Sequence, residues 1–150
     1  MCPVCSMPMV GYELDGIELD RCVDCRGIWL DAGELEYIAE QAGAEPGGLS
    51  AALRAARGKR HGARRCPRCG RKLDIIFLGP GQSVEVDRCR HGHGLWLDHG
   101  ELEKLILSHH SGEEEAVARF LAAIEGKAPE AASEIEKSGK TKTKEDPFRW

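Results

Sequence analysis

Aromatic residues are scarce in this chain, with three Trp, three Phe and two Tyr among 150 residues. A large aromatic core is therefore excluded. No stretch approaches the roughly 18 consecutive apolar residues of a membrane-spanning helix, so a membrane partner is not expected. The first residues, MCPVC, hold no apolar leader segment. Cysteine is present in an odd number, seven, which does not suit a closed disulfide framework. A reducing, cytoplasmic setting is the default expectation.

What the chain does have, it has twice. Residues 20–36 read DRCVDCRGIWLDAGELE and residues 87–103 read DRCRHGHGLWLDHGELE, and each phrase follows a CPxC turn, Cys2 to Cys5 and Cys66 to Cys69. In the first copy Cys2, Cys5, Cys22 and Cys25 form two CxxC pairs at a spacing typical of tetrahedral zinc sites. The second copy offers Cys66, Cys69 and Cys89, but Gly92 stands at the place of Cys25 when the two Trp residues are aligned. Its fourth ligand must then be a histidine. His93 and His91 are the candidates, and His93 is preferred because CxxxH leaves the chain room to turn back on the metal, whereas CxH needs a tighter loop. Seven cysteines and one histidine supply the eight ligands of two Zn²⁺ ions per chain, leaving no thiol over for catalysis.

Each repeat is about 40 residues, a size at which a hydrophobic core alone seldom suffices. Zinc binding contributes on the order of 10 kcal/mol to folding such units, so metal is expected to replace the missing core. The expected fold class is a small metal-stabilised α+β protein. It comprises two tandem zinc ribbons, each a knuckle, a β-hairpin, a second knuckle and a short helix, joined by a basic linker and followed by a C-terminal helix and a disordered tail. The expected boundaries are ribbon 1 at 1–42, a Gly/Ala/Arg-rich linker at 43–65 with a short Ala-rich helix near residues 50–57, ribbon 2 at 66–110, amphipathic helix 111–126 and tail 127–150.

Local signals place the elements. Asp15-Gly16 between alternating segments predicts a hairpin of strands 9–14 and 17–21, and strands near 72–78 and 83–88 flank a longer turn at Gly79-Pro80-Gly81-Gln82. Asp31 to Glu34 and Asp98 to Glu101 have the form of capping boxes, each opening a helix. Leu35, Ile38, Ala39 and Ala42 mark the apolar face of the first, and Leu102, Leu105 and Ile106 that of the second. Trp29 is expected in the core rather than at a recognition surface. Val117, Phe120, Leu121 and Ile124 fall at helical spacing after Ser111. Charge is uneven: −7 over residues 1–40, +5 over 41–65, zero over 66–110 and −2 over 111–150.

CPVC, DRCVDCRGIWLDAGEL, CPRCG and DRCRHGHGLWLDHGEL resemble the small prokaryotic zinc ribbons grouped with the zinc ribbon of transcription factor IIB, over about residues 1–40 and 66–107. The resemblance implies zinc carried by the four cysteines of the first module, while Gly92 departs from the pattern in the second. In the general transcription factor the ribbon docks on RNA polymerase. Nothing in this chain resembles the helical domains that bind promoter DNA in that factor.

Two functions follow as expectations. The first is a protein-interaction adaptor in which zinc is structural and the acidic first module contacts a protein of a transcription or translation complex. The alternative is nucleic-acid binding through residues 54–65, with six bases and no acid, and through Arg65, Arg68, Arg71, Arg88 and Arg90. A solvated spacer is the plainer reading of the same stretch. Catalysis is disfavoured because a catalytic zinc keeps a position open for water, which four cysteines deny. A redox iron site is disfavoured because histidine is foreign to a rubredoxin-like centre. The sequence says nothing about oligomeric state.

Overall fold

In a computed structural model of the chain, the described residues are 1–14, 16–45, 47–58, 60–109, 118, 122 and 123. Seven strands form one antiparallel sheet: β1 (Met9–Leu14), β2 (Ile17–Cys22), β3 (Ile28–Asp31), β4 (Arg60–Arg65), β5 (Lys72–Leu78), β6 (Val84–Arg88) and β7 (Gly94–Leu97). The helices α1 (Glu34–Gln41), α2 (Gly48–Ala55) and α3 (Glu101–His109) accompany them. The sheet order is β1-β2-β3-β7-β6-β5-β4, so the last strands of the two repeats lie side by side.

The β3–β7 pairing sets Ile28 opposite Leu97, Trp29 opposite Trp96 and Leu30 opposite Leu95. Ile28, Trp29 and Leu30 of the first repeat correspond to Leu95, Trp96 and Leu97 of the second, so the pairing has a local two-fold axis between the tryptophans. Side chains alternate across a strand. Ile28, Leu30, Leu95 and Leu97 therefore join α1, α2 and α3 in one buried cluster, while Trp29 and Trp96 point to the other face, among the cysteines. Both indoles are buried, as expected for Trp29.

This arrangement corrects two expectations. Residues 43–65 carry the expected short helix, as α2, but they do not hold two modules apart, since residues 60–65 form the edge strand β4, which pairs with β5. Nor does metal stand in for a missing core, because the two repeats bury a common one. Sheet pairing is legible only when a partner strand is known, and RHGARR lacks the apolar alternation that marks a strand.

The capping boxes are half built. Glu34 accepts from the Asp31 amide at 2.7 Å and Glu101 from the Asp98 amide at 2.7 Å. The Asp31 carboxylate does not cap: α1 starts after Gly33 with no side-chain cap. Instead Asp31 accepts from Trp29 Nε1 at 2.7 Å and Asp98 from Trp96 Nε1 at 3.0 Å. A buried indole N–H without a partner is costly, and that demand outweighs a helix cap that backbone groups can replace.

Ala118, Ala122 and Ala123 are helical, and Ala123 packs against the shared core, its carbonyl accepting from Tyr12 Oη. Asp15 of the hairpin turn, Val117, Phe120, Leu121, Ile124 and residues 127–150 lie outside the described residues. Among the described residues no helix is long and apolar enough to cross a membrane.

Two outcomes test this packing. A Cβ added to Gly27 would lie 2.2 Å from Cζ2 of Trp96, whereas one added to Gly48 meets nothing within 4 Å. Because Trp96 is fully enclosed, Gly27→Ala is expected to cost about 2–3 kcal/mol and Gly48→Ala to be neutral or slightly stabilising, read by urea denaturation at fixed free zinc. Burial pushes the Glu101 carboxyl up to about 7. The folded state then holds a proton that the unfolded chain releases near pH 4.5, so this residue's contribution falls as pH rises from about 4.5 to 7. Glu101→Gln keeps an acceptor for the Asp98 amide. The stability difference between this variant and wild type is expected to shift in the variant's favour across that window.

Candidate metal centres

Each centre is assembled by two tight turns brought together at the end of a hairpin. In the first, Cys2 and Cys5 precede β1 while Cys22 closes β2 and Cys25 follows it. Met9 opposite Cys22 in the β1–β2 register aligns the two turns. In the second, Cys66 and Cys69 precede β5 and Cys89 follows β6, with Asp74 opposite Arg88 bringing the two ends together. The backbone repeats too: Cys2 N–H donates to the Met7 carbonyl at 2.9 Å and Cys66 N–H to Arg71 at 2.8 Å, while Cys22 donates to Gly27 at 2.9 Å and Cys89 to Gly94 at 3.0 Å.

The ligand atoms of Cys2, Cys5, Cys22 and Cys25 all lie within 4.8 Å of one another, and so do those of Cys66, Cys69, Cys89 and His93. Sulfur separations are 3.6 Å for Cys2–Cys25, 3.4 Å for Cys5–Cys22 and 3.8 Å for Cys69–Cys89. A tetrahedron with Zn–S bonds of about 2.3 Å has edges of about 3.8 Å. These spacings are far too long for a disulfide and match that edge, and all seven cysteines are free thiols. His93 Nδ1 lies 3.4 Å from Cys89 Sγ and 3.9 Å from Cys66 Sγ. His91 is exposed and stands outside the cluster. The two sites fit two zinc ions, each enclosed by four protein ligands, and zinc bound there would clamp the hairpin ends as a structural cation.

Thiol acidity is graded across the ligands. At Cys22 burial raises the pKa, but amide donors at Asp24 and Cys25 outweigh it and leave the thiol at about 7. Burial pushes Cys25 to about 12 and Cys66 to about 11, while the Arg71 amide lowers Cys69. Zinc must displace the remaining protons, so its binding tightens with rising pH.

Arginines tie the centres to the sheet. Arg68, inside the second CPxC turn, bonds Asp31 at 2.7 Å and Asp20 at 3.0 Å in the first repeat. Arg64 of β4 bonds Asp87 at 2.6 Å and Asp98 at 2.9 Å, the equivalent pair. Asp87 is buried and its carboxyl is raised by that burial despite Arg64. Arg88 donates to the carbonyls of Leu53 and Ala56 at the end of α2. Of the five arginines singled out in the sequence for phosphate contact, Arg90 pairs with Asp74 and Arg65 donates to the Gly70 carbonyl, while Arg68 and Arg88 are engaged by distant parts of the fold. Sequence spacing alone did not reveal this, because their partners lie 32 to 48 residues away.

Two closed Cys/His centres, each on a knuckle, hairpin and knuckle frame, define a tandem zinc ribbon. The chain belongs to the transcription factor zinc-finger family, the zinc-ribbon type of transcription factor IIB, whose family profile matches residues 1–41 and 65–108. No curated protein and no solved structure matches the chain.

The ligand geometry is checked by metal content. His93→Ala is expected to lower bound zinc from two ions per chain to one by mass spectrometry, and His91→Ala to leave two. The reverse result would exchange their roles.

Proposed function

We propose that the chain is a non-catalytic, zinc-stabilised adaptor, acting in a reducing cytoplasmic setting, that docks on a protein through the tip of its first knuckle. One observation carries the reading. Among the described residues, five of the seven exposed large hydrophobics are Met1, Val4, Met7, Val10 and Val23, all on or beside the turns of the first metal centre. Val4 sits between Cys2 and Cys5, Val23 between Cys22 and Cys25, and they are 45% and 55% exposed.

Apolar side chains grouped on a small rigid protrusion are what a protein interface desolvates at its centre. Zinc at that base holds the turns in one conformation, which lowers the ordering cost of binding. The excess of acids over residues 1–40 favours a partner whose rim is basic, and a transcription or translation complex offers such surfaces. Four protein ligands at each centre leave no position for a reacting water, which supports binding rather than catalysis.

The test compares tagged wild type with Val4→Asp/Val23→Asp, both verified to carry two zinc ions, in co-purification from the native cell with partners identified by mass spectrometry. Wild type is expected to retain a stoichiometric protein partner and the variant to bind it at least about tenfold more weakly. Equal retention by both proteins would remove the first knuckle as the docking surface.

A further inference from the structure

The two knuckles share a backbone plan and differ at their tips. Aligning Cys2 with Cys66, Cys5 with Cys69 and Cys22 with Cys89 sets Met1 against Arg65, Val4 against Arg68, Met7 against Arg71 and Val23 against Arg90. Four of the five exposed apolar residues at the first tip are thus arginines in the second, and the fifth, Val10, corresponds to Asp74. The metal sets differ in the same sense, because three thiolates and a neutral imidazole leave a zinc centre one unit less negative than four thiolates.

Arg68 turns inward to Asp20 and Asp31. The other cations line a surface cleft of about 380 Å³ bounded by His61, Arg65, Arg71, Lys72, Arg90 and His91. Asp74, 19% exposed, holds two of the lining residues, His61 at 2.6 Å and Arg90 at 3.0 Å. Arg65 donates one guanidinium N–H to the Gly70 carbonyl at 3.0 Å, which fixes the side chain and leaves its other donors available. Among the described residues no carboxylate pairs with Arg65, Arg71 or Lys72.

We propose that this cleft is a binding site for the sugar-phosphate backbone of nucleic acid. Four cations in a concave site, two of them held by the fold, present donors suited to phosphate oxygens. Two of its lining residues, His61 and Arg65, lie on β4, the outer strand of the sheet. No aromatic ring other than the two imidazoles lines it, so neither base stacking nor a free nucleotide's base is provided for, and recognition is of backbone rather than sequence. The competing account is that basic residues merely guard an edge strand against pairing.

The site lies on the opposite repeat from the first-knuckle docking surface, and the two proposals fail independently. The full zinc-loaded chain is titrated with fluorescein-labelled random-sequence oligonucleotides, single-stranded and duplex, from about 0.05 to 0.2 M salt. Four phosphate contacts predict a log K against log salt slope of roughly −3 for single strands and −4 for duplex. Arg71→Gln/Lys72→Gln, with two zinc ions confirmed, is expected to halve that slope and weaken binding at 0.05 M salt by at least about tenfold. Val4→Asp/Val23→Asp is expected to leave it unchanged. If the double variant loses zinc, Lys72→Gln alone is expected to lower the slope by about one unit. Absent or salt-indifferent oligonucleotide binding, or an unchanged slope in the cleft variants, would overturn the proposal. So would calorimetric binding of pyrophosphate at the cleft with no oligonucleotide bound, since the site would then take a free anion.

Discussion

The pairing of β3 with β7 is the contact on which the rest of the molecule depends. Four residues from each repeat lie antiparallel with Trp29 opposite Trp96, and the alternation of side chains then does two things at once. It sends Ile28, Leu30, Leu95 and Leu97 into a core shared with three helices, and it puts both tryptophans between the two metal centres. The pairing reaches the metal ligands directly, since the Ala32 amide donates to the His93 carbonyl at 3.2 Å. A three-stranded ribbon left alone would expose one apolar face and an unpaired edge; here each repeat covers the other's.

Close approach at this seam is possible only because small residues flank it. Gly27 lies against the Trp96 ring, and a Cβ at Gly94 would meet the Leu30 carbonyl oxygen at 2.1 Å. The two glycines are equivalent in the repeats, so one substitution pattern serves both sides of the local axis. The same economy governs polar groups. Each indole N–H is satisfied by the aspartate two residues on, and an arginine from the second repeat or from β4 closes each aspartate pair. Most of these ion pairs are partly exposed and contribute little individually. Arg64 differs because Asp87 is buried, and an unpaired charge there would be costly.

Internal duplication leaves a scaffold in which the metal turns are structurally alike and chemically free to diverge. Residues inside a CxxC turn contribute little to the core, since the turn is held by metal and backbone hydrogen bonds. Val4 and Val23 lie exposed inside the turns of the first centre, while Arg71 and Arg90 border the cleft beside the second. One chain thereby presents an apolar knuckle and a basic knuckle on a single rigid sheet.

Much of this was legible from residues alone. The ligand set could be read because cysteine and histidine ligate within a short loop, and the spacings CxxC and CxxxH report local geometry. The β1–β2 hairpin, the cores of β5 and β6, and the apolar faces of α1 and α3 were equally local, resting on turn chemistry and periodicity. What the sequence determined by itself, then, was two zinc ribbons, each with a four-residue Cys/His cluster that fits a metal ion. Only the tertiary structure decided that the ribbons fuse, that residues 60–65 are a strand and not a spacer, and that Asp31 serves an indole and Arg68 instead of capping a helix. Those outcomes depend on partners tens of residues away, and neither spacing nor periodicity carries that information.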